Sequence, residues 1–192
     1  MSKTYSKTRI LVECALMIAI GTVLSNIKFF TLPNGGSVTL LSMLPFVLVS
    51  FRHGVKWGLF TGFVNGCLQM LLGFWAPPTP TFLYFLGEVL LDYLVAFTPL
   101  GLAGLFKGKT WGLLAGTVVG CAGRFLVHYI SGITIYKIVA PTEFLNWTFS
   151  SPSLYSIVYN GSYMLPNTVI ALVMSALLYV PLKKYILGQD LK

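Results

Sequence analysis

Two carboxylates stand four residues apart in "LGEVLLDYL", Glu88 and Asp92, inside an apolar stretch running from 82 to 106. A second apolar stretch holds "GRFLVHYISG", with Arg124 four residues before His128. On a helix each pair shares one face, so the sequence offers one acid face and one basic face. A third stretch places Ser156, Asn160, Tyr163 and Asn167 in a polar stripe. Ionised groups at bilayer depth cost several kcal/mol unless paired or hydrated, so each marks a candidate site. An acid, an imidazole, an amide and several tyrosines suit a small ligand with cationic and hydrogen-bonding parts, and aromatic faces beside a carboxylate suit a flat cation.

The elements that must position these groups are membrane helices. The chain has 192 residues, 56% hydrophobic and 9% charged, with mean hydropathy +0.80. A soluble domain carries roughly a quarter charged residues. Six apolar blocks run over about 9–27, 38–51, 55–73, 82–106, 110–136 and 153–187. They predict an all-α membrane protein of six transmembrane helices, forming one domain over 1–192. The second block is short, since a crossing takes about 20 residues. No internal repeat supports a transporter of duplicated halves. The first block runs into a spanning segment without a small-residue cleavage site, so no cleavable signal is expected.

Thirteen basic and five acidic residues give a net charge of +8. The basic residues lie in short loops, which argues for membrane topology and against a nucleic-acid partner. Lys3, Lys7, Arg9, Arg52, Lys56, Lys107, Lys109, Lys183, Lys184 and Lys192 fall on one side of a six-span layout, and Lys28 and Lys137 on the other. This asymmetry puts both termini in the cytoplasm. The outer loops are then 28–37, 74–81 and 137–152, rich in Pro, Gly and aromatics.

Counting helix rise from the outer ends puts Asp92 about 15 Å deep, Arg124 about 18 Å, His128 about 12 Å and Asn160 about 10 Å. All four belong to the outer half of the bilayer, which predicts one polar cavity open to the outside. The plain alternatives are an Asp92–Arg124 ion pair holding two helices together, a packing role for His128, and an amide cross-link at Asn160. Tyr and Trp residues near the span ends suit an interfacial belt. Cys14, Cys67 and Cys121 sit in apolar blocks without metal-ligand spacing. No HExxH, GxSxG or GxxxxGK[ST] motif occurs, so neither hydrolytic chemistry nor ATP hydrolysis by this chain is expected.

The stretches "LPNGGSV", "VSFRHGVKWGL", "LLDYLVAFTPLGLAGLF", "RFLVHYISG" and "YSIVYNGSYMLP" span nearly the whole chain. In this combination the sequence resembles the thiamine-specific substrate-binding component of energy-coupling-factor (ECF) vitamin transporters. The resemblance implies a six-helix protein of the bacterial plasma membrane that binds thiamine from outside and needs no cofactor. It implies a ligand site with Asp92 and Tyr93 on the fourth span and with Arg124, His128 and Gly132 on the fifth. His128 is expected against the thiazolium, and Tyr136 stands where some relatives carry a stacking tryptophan. Tyr155 and Asn160 are expected near the aminopyrimidine. Asp92 stands where some relatives carry glutamate, and the first outer loop lacks the tryptophan of some members. With Arg124 limiting the cost of Asp92, the net charge toward ligand is set by Glu88 and water. Glu88 has no counterpart in the family pattern, and Tyr163 is a further candidate.

The same resemblance implies partners: a transmembrane coupling subunit and two cytoplasmic ATPase subunits. Ala15 and Ala19 of "ALMIA" would dock on the coupling subunit, although small-xxx-small spacing also serves ordinary helix packing. The loaded protein is then expected to topple in the bilayer and release thiamine inward. Two other functions fit the residues. One is the same architecture serving a hydroxymethylpyrimidine- or pyridoxine-like compound. The other is a proton-coupled solo carrier using Asp92, Glu88 and His128 as a relay.

Overall fold

Four of the six apolar blocks form helices long and apolar enough to cross a bilayer in the computed structural model. Residues 7–77, 81–136 and 142–191 are described; Lys3, Lys137 and Lys192 lie outside them. The first crossing-length helix is α1 (Lys7–Asn26). A hairpin of β1 (Lys28–Thr31) and β2 (Ser37–Thr39) follows it. Its turn carries Asn34 and Gly35 at φ +65° and +87°. An Asn-Gly pair tolerates this left-handed backbone, which a tight hairpin turn requires.

The second block departs from a full crossing. Its first residues belong to β2, and its helix α2 (Leu44–His53) has only ten residues. Every residue from Leu44 to Arg52 is buried. α2 is therefore a core helix, packed against α1, α3 (Val55–Leu72) and later elements, with Phe46, Val47 and Phe51 at the centre. A helix apolar on most sides is covered either by lipid or by protein, and here protein covers it.

The fourth block is a composite. Regular helix α4 (Phe82–Glu88) passes into a π-helical segment (Val89–Leu94), and after a bend into a 3-10 segment (Thr98–Phe106). The wide turn is visible in the Val95 N–H donating to Leu90 O at 2.8 Å. Small residues of α3 let this irregular backbone come close. A Cβ at Gly66 would lie 2.2 Å from Tyr93 O, and one at Gly62 2.4 Å from Phe97 O. The side chain of Ser50 adds a bond to Gly101 O and accepts the Gly104 N–H at 2.9 Å. Irregular backbone at membrane depth survives where protein encloses it in this way or where it lines a polar cavity.

Helix α5 (Gly112–Thr134) is followed by a second hairpin, β3 (Thr142–Phe144) and β4 (Trp147–Phe149). Helix α6 (Pro152–Tyr179) starts with proline in its first turn and with Ser151 Oγ accepting the Leu154 N–H. The sixth block does not run through to 187 as one helix: after α6 ends, the chain turns into the short α7 (Lys183–Ile186). The fold is thus helical with two small hairpins, where the composition predicts helices alone. Leu16 and Val23 of α1, Val118 and Leu126 of α5, and Leu165 and Val173 of α6 remain exposed, the apolar surface a bilayer covers.

Arg52 gathers one end of the molecule. Its guanidinium bonds Glu13 of α1, Asp190 beyond α7 and the carbonyl of Tyr185, while Lys107 Nζ donates to the Arg52 carbonyl at 2.8 Å. Both hairpins belong to the opposite end.

Candidate functional site

A cavity of about 730 Å³ opens between the first hairpin, the end of α3, the composite helix, α5 and α6. Asp92, Arg124, His128 and Asn160 all line it, as do Glu88, Tyr93, Gly132, Tyr136, Tyr155 and Tyr163. The π-helical segment brings Asp92 to the cavity while Tyr93 packs beside it. Wide turns of this kind are frequent at functional sites.

Asp92 pairs with His128. Its Oδ1 lies 2.7 Å from His128 Nδ1, and its Oδ2 accepts the hydroxyl of Ser131. A carboxylate only accepts, so Nδ1 carries the proton, and the buried Nε2 has no protein partner. The expected Asp92–Arg124 pair is not formed. The Arg124 guanidinium lies 4.0 Å from the centre of the Phe97 ring, and its buried Nε has no hydrogen-bond partner. Arg124 is one turn nearer than His128 to the start of α5, and there the composite helix presents Phe97 rather than a carboxylate.

Glu88 is 1% exposed. Tyr136 Oη donates to its Oε1 at 2.8 Å, and its Oε2 has no partner. Tyr93 holds the loop after α3: its hydroxyl accepts the Trp75 N–H at 2.7 Å and donates to Gly73 O, with its ring stacked on Phe74. Trp75 is thereby placed on the cavity wall, against Gly35 of the hairpin turn.

The α6 stripe divides into a wall and an anchor. Asn160 donates to Ser156 O at 2.9 Å and accepts from Tyr163 Oη at 2.8 Å. Gly132 faces it closely, since a Cβ there would meet Ser156 Oγ at 2.2 Å. Asn167 holds the first hairpin, accepting the Thr39 N–H at 2.9 Å and donating to Ser37 O at 2.8 Å. Tyr159, which sequence patterning missed, does the same at the turn: it donates to Pro33 O and accepts the Gly36 N–H at 3.0 Å. Tyr155 stacks on Tyr159 with centroids 5.7 Å apart, and Phe144 and Phe149 of the second hairpin close the cluster. Tyr155, Tyr159 and Tyr163 recur every four residues, a spacing that could have revealed Tyr159 as part of one aromatic face. Ser131 could have been found as three residues after His128.

Three residues of the chamber lining thus each carry a buried polar atom without a protein partner: Glu88 Oε2, Arg124 Nε and His128 Nε2. Buried polar atoms are nearly always bonded, so orphans on residues that line one cavity point to a bound ligand. These features define a multi-pass membrane protein with a binding chamber for a small polar molecule.

The comparisons with known proteins narrow this class. Residues 11–187 match the family described as thiamine transporter protein. The thiamine transporter ThiT of Bacillus subtilis (strain 168) is 35% identical over 185 residues, covering 88% of this chain and 90% of that one. Its namesake from Lacticaseibacillus paracasei is 26% identical, covering 94% and 92%. A solved structure of ThiT from Listeria monocytogenes has the same fold, with TM-score 0.77 and 23% identity over 94% of this chain and 98% of that one. The chain belongs to the thiamine transporter family. It is an integral membrane protein of the bacterial plasma membrane, a transport component and not an enzyme.

Proposed function

We propose that the chain binds thiamine from the outer side of the membrane and delivers it inward as the substrate-binding component of an ECF transporter. The observation that carries this reading is the chamber itself: an oriented acid–imidazole pair and aromatic walls, with three orphaned polar atoms, in a member of this family. About 730 Å³ accommodates a two-ring vitamin with water to spare. His128 and Tyr136 meet the thiazolium, and Tyr155 and Asn160 meet the aminopyrimidine. Tyr93, Gly132 and Tyr163 shape the walls.

The chain passes six times between the two sides of the membrane as a single domain, the second pass made by β2 and the short, protein-enclosed α2, with both termini in the cytoplasm. The gathering of Arg52, Lys107 and the 183–184 lysines at the end away from the hairpins supports this orientation. Titrating the detergent-purified protein with thiamine tests the ligand, with Trp75 as a reporter on the chamber wall. Saturable quenching in the nanomolar range is expected for thiamine and not for pyridoxine or riboflavin. A folded sample that ignores thiamine overturns the reading.

Inward release is driven by a coupling subunit and two ATPases. Ala15 and Ala19 are exposed on α1, flanked by exposed Leu11, Leu16 and Ile20. Replacing either alanine with a bulky residue is expected to leave thiamine affinity unchanged while abolishing partner-dependent uptake. Normal uptake by such variants would sink the docking assignment.

A further inference from the structure

The two acids of the chamber are not equivalent. Asp92 has both oxygens engaged, by His128 Nδ1 and by the Ser131 hydroxyl. Glu88 has one oxygen engaged, by Tyr136, and the other buried without a partner. A buried carboxylate is tolerated only when charge and hydrogen bonds compensate it. The Arg124 guanidinium, which also lines the chamber, is turned onto the Phe97 ring. From this geometry we infer that Glu88 is the counter-ion of the ligand's cationic ring, and that Asp92 positions His128.

The charges of the chamber agree with this division. The lining includes two carboxyl groups and one guanidinium, and a cation placed beside Glu88 supplies the positive partner that its carboxylate lacks within the protein. Lys28 also reaches the rim, but from an exposed strand where water screens it. The Tyr136 ring adds an aromatic surface beside the carboxylate, and its hydroxyl fixes the orientation of Glu88. A carboxylate with an adjoining aromatic ring selects a delocalised, weakly hydrated cation over a neutral ring of equal shape. The inference rests on thiamine being the ligand, and assigns the selection for its charge to a residue outside the family pattern.

The test compares thiamine with its neutral thiophene isostere, in which carbon replaces the charged ring nitrogen, on purified wild type, Glu88→Gln and Asp92→Asn. The wild type is expected to prefer thiamine by about tenfold or more. In Glu88→Gln the preference should fall to about threefold or less, through weaker thiamine binding with the isostere little changed. In Asp92→Asn both ligands should weaken together, so that the preference survives. A wild type binding both ligands alike overturns the inference without recourse to any variant. So does a Glu88→Gln protein that loses both ligands equally, or a preference erased by Asp92→Asn instead. Tight thiamine binding in any of these cases leaves the functional reading standing. A wild type that binds neither ligand removes that reading and the inference with it.

Discussion

Asp92→Asn is expected to weaken thiamine binding by at least about tenfold, roughly 1.4 kcal/mol, and His128→Ala by about a hundredfold. The carboxylate holds the imidazole through Nδ1 at 2.7 Å and is itself held by Ser131. An asparagine can still accept one of these bonds. Its amide nitrogen cannot accept the other, and its neutral oxygen makes a weaker bond to Nδ1 than a carboxylate does. The ring then loses its fixed tautomer and tilt, and Nε2 is no longer held in one orientation. Since the acid acts through the imidazole, the Asp92→Asn/His128→Ala double variant should bind no more weakly than His128→Ala alone. Groups in direct contact that share one task are non-additive in this way. Calorimetric titration of the four proteins in detergent decides the matter, with a monodisperse elution profile as the control for folding. Unchanged affinity in Asp92→Asn would remove the pair from ligand binding. Full additivity would mean that acid and imidazole contact the ligand independently.

The sequence reveals which helices carry the chamber more clearly than it reveals which side chains meet inside it. Long apolar blocks identify α1, the composite helix, α5 and α6, because a crossing needs length and greasiness and nothing else. The i,i+4 spacing of Glu88 with Asp92, and of Arg124 with His128, correctly assigns each pair to the cavity side of its own helix. Spacing within one helix carries no information on the rotation of the next. Asp92 therefore meets His128, while Arg124, one turn away on the same face, meets Phe97. The ten-residue α2 was hard to foresee for a related reason. An apolar run of that length reads alike whether lipid or protein surrounds it, and only the packed bundle shows Phe46 and Phe51 enclosed on every side. The first hairpin did leave a local mark in Asn34-Gly35, which sits between runs too short to stand out among membrane helices. Its attachment to α6 through Tyr159 and Asn167 spans more than a hundred residues, beyond any local pattern.

At the far end of the molecule, Arg52→Ala is expected to lower stability by about 3 kcal/mol or more while leaving ligand selectivity intact. The side chain is 1% exposed and its donors are fully used. Nε and one terminal nitrogen clasp Glu13, at 2.5 and 3.1 Å. The other contacts reach Asp190 at 2.6 and 2.9 Å and the Tyr185 carbonyl at 2.7 Å, with the Tyr185 ring 3.9 Å from the guanidinium carbon. One planar group thus ties α1 and α2 to the C-terminal segment. Removing it leaves Glu13 facing Asp190 with His53, Arg9 and water as the remaining partners. Lysine would restore the charge but not the fork, so Arg52→Lys should recover only part of the loss. Thermal unfolding in detergent should show a midpoint lower by roughly 6–12 °C for Arg52→Ala. Arg52 also holds the Asp190 carboxyl below its ordinary range. Its share of the stabilisation is therefore complete above the unfolded-state value, about pH 4, and is lost as acid carries the pH down through the folded-state value. Asp190→Asn should therefore lower stability at neutral pH by that share and flatten the acid limb. An unchanged midpoint in Arg52→Ala would mean that the buried Ile186 and its apolar neighbours hold the C-terminal segment without help from the ion cluster.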